Sequence, residues 1–263
     1  MKNKWYEIRA KDESATIYIY DEISSWGITA SQFVKDLNAT KAKTISLRIN
    51  SPGGNVFDGM AIYNALKNHP AKVTSEVDGI AASIASIIAM AGEEIRIAEN
   101  AFFMIHNAWA FAIGSSSDMS KMAETLDKID TQMEKIYAKR TGLEQDKVRQ
   151  MMADETWMNA DEAKEFGFAD SIGDEIAAAA CSAFDLTKFR NVPGNLNAGG
   201  GRAEPATERE LEKFYRDGGM SREMAIAAVA KARRVYQRDA DEAEAKEVQK
   251  MFRSLTDKIK EMR

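Results

Sequence analysis

The sequence predicts an α/β protein with a parallel sheet, followed by a helical C-terminal extension. Short β-branched and apolar segments alternate with helical stretches as far as about residue 105, and this alternation is typical of βαβ units. A segment rich in glycine, proline and asparagine then separates the extension from the rest of the chain.

Five strands and three helices are predicted in the first part of the chain. Residues 15–20 are β-branched and aromatic, and residues 45–49 alternate apolar and polar side chains, so both are predicted strands. Apolar residues predict three more strands, around residues 73–77, 95–97 and 102–105. The helices are predicted over residues 29–37, 57–68 and 82–91.

A long helix is predicted over residues 118–140. Apolar residues recur there every three or four positions and form one stripe, which consists of Met122, Leu126, Ile129, Met133 and Ile136. Gly142 follows and is a typical helix stop. Two shorter helices are predicted near residues 144–153 and 160–166.

Composition divides the chain into three predicted parts. Residues 1–185 form a globular domain, residues 186–205 a flexible linker, and residues 206–263 a charged helical tail. The last helix of the tail carries an apolar stripe that needs a partner, either within the tail or on another chain. This stripe consists of Val248, Phe252, Leu255, Ile259 and Met262.

Overall composition argues against several classes of protein. A net charge of −5 does not favour nucleic-acid binding. The single cysteine, Cys181, excludes an internal disulfide and fits a reducing compartment. The first residues contain no apolar signal segment, and no apolar run is long enough to span a bilayer. We therefore expect a cytoplasmic protein without membrane or nucleic-acid partners.

Ser83 is the candidate nucleophile, because small residues lead into it at the start of an apolar helix. A serine hydroxyl needs a base, and the chain has only two histidines. His106 ends an apolar strand, which favours a functional site, whereas His69 ends a helix just before a proline. Taken alone, a single serine of this kind is usually a helix cap or a surface hydroxyl. Ser86, one turn further on, is interpreted as a packing residue.

Paired glycines form a second candidate feature. Gly53 and Gly54 stand between a predicted strand and a predicted helix, and glycine allows unusual backbone angles there. Such a turn can aim bare N–H groups at an oxyanion. A tight strand-to-helix turn without catalytic meaning is the alternative.

These motifs together resemble the proteolytic subunit of the Clp protease. Residues 50–54, 79–83 and 104–106 fall where that family has its oxyanion loop, nucleophile and base, and residues 157–172 are similar to its closing segment. The resemblance covers about residues 15–175. It implies a Clp protease/crotonase-like spiral of ββα units with a long handle helix, and it implies serine endopeptidase activity without a cofactor or metal.

The resemblance also implies roles for individual residues. Ser83 is the implied nucleophile, His106 the implied base, and the N–H groups of Gly53 and Ile84 the implied oxyanion hole. The family usually has aspartate where this chain has Glu155, with Asp154 beside it. We expect Glu155 to complete the triad and keep Asp154 as the alternative. A solvated acidic pair at a helix end is the non-catalytic interpretation.

Partners follow from the same resemblance. The predicted helix over 118–140 corresponds to the family's handle, so a homo-oligomeric ring is implied, and stacked rings remain open. Extended protein or peptide substrates are expected beside the handle, along Trp109, Phe111 and Ile113, which alternate in sequence. A Clp-type ATPase is a further partner left open.

The tail favours one biological setting. Residues 214–225 and 238–240 are similar to the tails of Clp-related head maturation proteases of tailed phages and prophages. That similarity implies cleavage of capsid or scaffold protein, in the host cytoplasm or inside the procapsid. The tail would serve as a scaffold-like or docking element, and a mobile helix that only solubilises the chain is the alternative.

Four other functions remain open at this point. One is a chamber protease fed by a Clp-type ATPase, and another is acyl-CoA chemistry of the crotonase type on the same fold. A third is a capsid scaffold whose site is vestigial, which the glutamate at position 155 keeps open. A Ser/Lys enzyme like signal peptide peptidase is the least supported, because His106 is in place.

Overall fold

The protein is described by a computed structural model that covers most of the first 196 residues and a few positions of the tail. The described residues are 5–23, 29–175, 184–194, 196, 212, 216, 222–227 and 229–230. The chain divides into two compact units, Met1–Arg202 and Ala203–Arg263.

The first unit is built around an eight-stranded sheet. Its strands are β1 (Tyr6–Lys11), β2 (Ser14–Ile19), β3 (Thr44–Ser51), β4 (Lys72–Ala82), β5 (Glu94–Ala98), β6 (Phe102–Ile105), β7 (Thr156–Met158) and β8 (Ser171–Gly173). Its helices are α1 (Ala30–Ala39), α2 (Val56–Asn68), α3 (Ile84–Ala89), α4 (Ser116–Thr141), α5 (Gln145–Ala153) and α6 (Ala160–Glu165). The mixed α/β architecture confirms the predicted fold class.

Parallel pairing runs through most of the sheet, in the order β1-β2-β3-β4-β5-β8. Among these described strands, only the hairpin β1–β2 and the pair β6–β7 are antiparallel. Strand β4 changes partner along its length, because Thr74–Val77 pair with β5 while Ile80–Ala82 pair with β6. The sheet therefore branches at β4, and the branch lies where the candidate nucleophile follows.

A register shift accompanies this branch. Pairing of β3 with β4 shifts between Ile49 and Ser51, and the side chain of Asn50 accepts the N–H of Ile80 at 3.2 Å. Asn50 is buried. Its carboxamide therefore satisfies a buried backbone donor that the shifted ladder leaves in need of a partner.

Most predicted elements are confirmed, and the differences have physical reasons. The helix predicted over 82–91 begins only at Ile84, because β4 continues to Ala82 and pairs with β6. Strands β1, β7 and β8 were not predicted. Two of them have only three residues, and β1 carries charged side chains on its exposed positions, so none of the three shows a clear apolar period.

Helices α2 and α3 pack closely against each other in the core. All six residues of α3 are buried. Gly59 of α2 faces Ile84 of α3 so closely that a Cβ on Gly59 would lie 2.2 Å from the Ile84 Cγ1 atom. Because no larger side chain fits there, Gly59 allows α2 to approach the start of α3 at Ile84, the residue that follows Ser83.

Part of the chain that follows β8 also packs against the sheet of the first unit. Leu186 and Phe189 lie within the segment predicted to be a linker, yet both are buried in a small apolar cluster with Ile80 and Met104. We call residues 184–194 the covering segment. Lys188 anchors it through an ion pair with Glu22, with 2.7 Å between Nζ and Oε1.

The second unit is described at only a few positions. Residues 222–227 and 229–230 are helical, and Arg216 pairs with Glu212 at 3.2 Å. The predicted stripe from Val248 to Met262 lies outside the described residues. Within the described part of the chain, no helix is long and apolar enough to cross a membrane.

Gly54→Ala tests the tight turn after β3. Gly54 has φ of +143°, and an added Cβ would lie 2.0 Å from the carbonyl oxygen of Ile23. We expect the free energy of unfolding, measured by urea denaturation, to fall by about 3 kcal/mol or more.

Gly142→Ala is the matched control, because Gly142 has φ of +77° but no described atom lies within 4 Å of the position that an added Cβ would take. Its loss should be only about 1–2 kcal/mol, the ordinary cost of the left-handed conformation. Equal losses in the two variants would contradict a steric role for Gly54.

Candidate active site

Pairing between β4 and β6 brings the candidate nucleophile and base together. Ala82 lies opposite Met104 in the parallel register, and the N–H of Ser83 donates to the Met104 carbonyl at 3.0 Å. Ser83 and His106 each follow directly from these strand ends. The Ser83 hydroxyl oxygen consequently lies 2.8 Å from Nε2 of His106, within hydrogen-bond range.

Ser83 occupies a strained and selectively exposed position. Its φ of 56° lies in the left-handed region that β-carbon-bearing residues rarely adopt. Between Val77 and Gly92 every other residue is buried, and Ser83 alone is partly exposed. The turn therefore exposes Ser83 to solvent within a segment that is otherwise buried. Backbone strain of this kind is typical of functional sites.

The glycine turn after β3 lies directly against Ser83. A Cβ on Gly53 would be 2.7 Å from the Ser83 Cβ and 2.8 Å from the Ala82 carbonyl oxygen, so only glycine fits. The Gly53 N–H donates to the Ser51 hydroxyl at 3.2 Å, the long end of the usual range. Ile84 is the first residue of α3, so its N–H has no acceptor within that helix.

Burial dominates the electrostatics of His106. Desolvation lowers its pKa from 6.5 to about 4, opposed by the negative charge of Glu155 and assisted by the positive charges of Lys188 and Arg190. Phe189 contributes to this enclosure, with its ring edge-on to the imidazole at a centroid distance of 5.5 Å. The imidazole is therefore neutral, the form that can accept a proton, at any pH well above 4.

Glu155 is the buried member of the acidic pair. One of its carboxylate oxygens, Oε1, accepts the backbone N–H groups of Arg190 and Asn191, each at 2.7 Å. The indole N–H of Trp157 adds a longer contact of 3.4 Å to the same oxygen. Among the described residues, no hydrogen bond joins Glu155 to His106, and the two interact through charge.

Asp154 faces away from this group. Its side chain is exposed and accepts two hydrogen bonds from the amide of Gln150, one turn earlier in α5, at 2.9 Å. The two acidic neighbours differ because Glu155 has φ of 51°, which turns its side chain inward at the end of α5.

The covering segment contains site residues that were not predicted from the sequence. Phe189, Arg190 and Asn191 contact His106 or Glu155, although the polar composition of this region indicated a linker. Buried Leu186 and Phe189, three residues apart in a polar stretch, were the available signal. Two apolar residues were too few to distinguish a packed segment from a linker.

Trp109, Phe111 and Ile113 lie between β6 and α4 in irregular structure. Trp109 and Ile113 are among the exposed large apolar residues, and the Trp109 and Phe111 rings meet edge to face at 5.8 Å. The N–H of Ala108 donates to Asp130 of α4 at 2.7 Å, which ties the start of this segment to the long helix. None of the described strands pairs with this segment.

His69 has a local structural role away from Ser83. It caps the C-terminus of α2, and its Nδ1 accepts the N–H of Ala71 at 3.1 Å. This hydrogen bond accounts for the histidine, in line with its interpretation as a helix-end residue.

Titration of His106 tests the enclosure of the site. His69→Gln leaves His106 as the only histidine, so the imidazole proton signal in NMR belongs to one ring. We expect a midpoint at about 4 rather than 6.5, and Phe189→Ala should raise it because water then reaches the ring.

The same shift predicts the direction of acid destabilisation. Because the unfolded chain binds this proton more readily, His106 should cost the folded state stability as pH falls from 6.5 towards about 4. A midpoint at or above 6.5 in the folded protein would contradict the enclosure.

Comparison with known families shows which family the chain belongs to. A sequence model of the Clp protease family matches residues 2–176, about two thirds of the chain. The matched region contains β1 to β8, Ser83, His106, the glycine turn and Glu155. The chain therefore belongs to the Clp protease family of serine peptidases.

Proposed function

We propose that this protein is a serine endopeptidase in which Ser83 is the nucleophile and His106 the general base. The observation that carries the proposal is the 2.8 Å contact between the Ser83 hydroxyl and His106 Nε2, at the one partly exposed position of a buried segment. A neutral imidazole at this distance is ready to take the hydroxyl proton.

The reaction proceeds through an acyl-enzyme. The Ser83 oxygen attacks the scissile carbonyl carbon while His106 Nε2 takes the hydroxyl proton, and the carbonyl oxygen becomes an oxyanion. The C–N bond then breaks as His106 protonates the leaving amine. Water repeats the sequence, with His106 again as base, and releases the acid and free Ser83.

The N–H groups of Gly53 and Ile84 are the proposed oxyanion hole. Gly53 lies against Ser83, and Ile84 follows Ser83 directly in the chain, so both donors belong to residues that adjoin the nucleophile. The long bond from Gly53 to Ser51 is readily exchanged for a charged acceptor. Removal of one such donor costs about 3 kcal/mol of transition-state stabilisation in comparable enzymes.

Glu155 is the proposed third member of the triad, in preference to Asp154. Burial and its Coulombic interaction with His106 favour it, whereas Asp154 is exposed and bonded to Gln150. Its charge would favour the imidazolium that forms during each transfer. Two backbone N–H groups of the covering segment occupy its Oε1, and a capsid scaffold with a vestigial site would show the same contacts. A non-catalytic scaffold is therefore the second candidate function.

The substrate and the assembly are proposed from the family, from the segment before α4 and from the tail. Clp proteases commonly form oligomeric rings and act on protein substrates, and we propose a homo-oligomeric ring here. Extended peptide would pair along Trp109, Phe111 and Ile113, in the segment between β6 and α4 where the side chains of Trp109 and Ile113 are exposed. We propose capsid or scaffold protein as substrate on the basis of the tail beyond residue 205, and a chamber protease with an ATPase partner is the alternative.

Ser83→Ala and His106→Ala test the assignment directly. A fluorophosphonate probe should add to the wild type and to His69→Ala, and intact mass should show the adduct. Neither Ser83→Ala nor His106→Ala should be labelled at a measurable rate, because nucleophile or base is missing. Labelling of Ser83→Ala would overturn the assignment.

Clipping in the same samples would identify self-processing. If fragments cut within residues 186–263 appear in the wild type and not in Ser83→Ala, the tail is a substrate of this enzyme. A labelled wild type that cleaves no protein would favour a requirement for an activating partner.

Glu155→Gln and Asp154→Asn form a matched pair for the third triad member. Glutamine keeps an acceptor for the Arg190 and Asn191 N–H groups but removes the charge, so we expect the fold to survive. The kcat for a peptide substrate should fall about a hundredfold or more in Glu155→Gln and little in Asp154→Asn. The reverse order would assign the role to Asp154. If neither variant lost activity, catalysis would depend on Ser83 and His106 without a third acidic residue.

A further inference from the structure

Two buried hydroxyl groups link the long helix α4 to the turn that carries Ser83. The phenol oxygen of Tyr137 lies 2.6 Å from the hydroxyl oxygen of Ser86, and Tyr137 is 1% exposed. Ser86 Oγ in turn donates to the carbonyl oxygen of Ser83. Packing, the interpretation from sequence, does not explain this hydroxyl, because the neighbours of Ser86 in α3 are alanine and isoleucine.

The direction of both hydrogen bonds follows from their chemistry. A carbonyl oxygen only accepts, so the single hydroxyl proton of Ser86 goes to the Ser83 carbonyl. The Ser86 oxygen must then accept from Tyr137, whose phenol donates. Burial raises the pKa of Tyr137 above its ordinary value, and therefore the phenol keeps its proton at neutral pH.

The bonded carbonyl belongs to the peptide unit that joins Ser83 to Ile84. In a planar trans peptide the C=O and N–H groups point in opposite directions. The ψ angle of Ser83, −130°, sets the rotation of this unit. Holding the carbonyl oxygen on the α4 side therefore aims the Ile84 N–H away from α4, on the other side of the same plane.

We propose that Tyr137 and Ser86 are positioning residues that hold the Ile84 N–H in the oxyanion hole through the Ser83 carbonyl. The inference rests on the proposed function of Ser83 and Ile84, and neither hydroxyl touches substrate. An oxyanion donor is effective because it is already oriented when charge develops. The Ser83 carbonyl also accepts the backbone N–H of Ser86 at 3.0 Å, and the Ser86 hydroxyl adds a second restraint to this oxygen beside the strained Ser83 backbone.

The ring of Tyr137 is separately accounted for by packing. It lies 5.6 Å from the ring of Phe168 and within the main apolar core. Tyr137→Phe keeps this packing and removes only the donor, while Ser86→Ala removes the hydroxyl that connects Tyr137 to the Ser83 carbonyl. Each variant should therefore retain the fold.

The test compares these variants with two controls that lose hydroxyls far from Ser83 in the fold. Tyr6→Phe removes a 2.8 Å hydrogen bond to Asp36 at the edge strand β1. Ser75→Ala removes a buried hydroxyl of β4 for which the described residues provide no hydrogen-bond partner. Hydrolysis of a p-nitrophenyl ester gives kcat and KM, and thermal unfolding gives Tm for every variant.

We expect kcat to fall about tenfold in Tyr137→Phe and more in Ser86→Ala, with KM unchanged, because the Ile84 N–H that they hold in place stabilises charge only when the oxyanion forms. The double variant should be no slower than Ser86→Ala, since both hydroxyls act through one carbonyl. Both controls should keep wild-type kcat. Unchanged kcat in Tyr137→Phe would overturn the inference. A fall in kcat that parallels the fall in Tm across the four single variants, controls included, would also overturn it.

Amide hydrogen exchange provides a readout that does not need activity. The N–H of residue 86 donates to the Ser83 carbonyl at 3.0 Å, so its exchange reports how firmly that carbonyl is held. Exchange at residue 86 should quicken in Tyr137→Phe and Ser86→Ala, while the amides of β5 keep their wild-type rates. If the wild type shows no Ser83-dependent hydrolysis, the proposed function fails, and exchange at residue 86 still decides the positioning role. Unchanged exchange at residue 86 would overturn it.

Discussion

The parallel pairing of β6 with the last three residues of β4 is the interaction on which the site depends. Pairing of Ile80–Ala82 with Phe102–Met104 sets two strand ends side by side, and each end continues directly into a polar residue. The hydrogen bond from Ser83 to the Met104 carbonyl is the last contact of that ladder. A slip of one residue would turn every side chain to the opposite face and separate the hydroxyl from the imidazole.

Backbone strain concentrates at the same place. Three non-glycine residues in the described part of the chain have positive φ, and two of them are Ser83 and Glu155. Gly53, which lies against Ser83, is a third special conformation. Each is held by neighbours that leave little freedom: the ladder to β6, the Ser86 hydroxyl and the N–H groups of the covering segment. Tertiary contacts thus stabilise a local geometry that the isolated segments would not adopt.

Sequence reasoning predicted the parts of this arrangement that have a period or a motif. The strand leading to Ser83 has valines on one face near its start, the strand leading to His106 is apolar throughout, and paired glycines indicate the turn at Gly53. Strands of three residues, such as β7, are too short to show a period, and they form because β6 offers an edge to pair with. The contacts of Glu155 could not be predicted, since they depend on backbone N–H groups of Arg190 and Asn191, which carry no side-chain signal.

The covering segment lies after residue 176, where the family match ends. It nevertheless supplies Phe189 beside the imidazole, two donors to the Glu155 carboxylate, and the positive charges of Lys188 and Arg190 near His106. The proton affinity of the base is therefore set in part by chain outside the shared domain. Two enzymes with identical catalytic groups and different downstream segments would differ in their acid tolerance, so that trait could evolve without any change to the catalytic residues themselves.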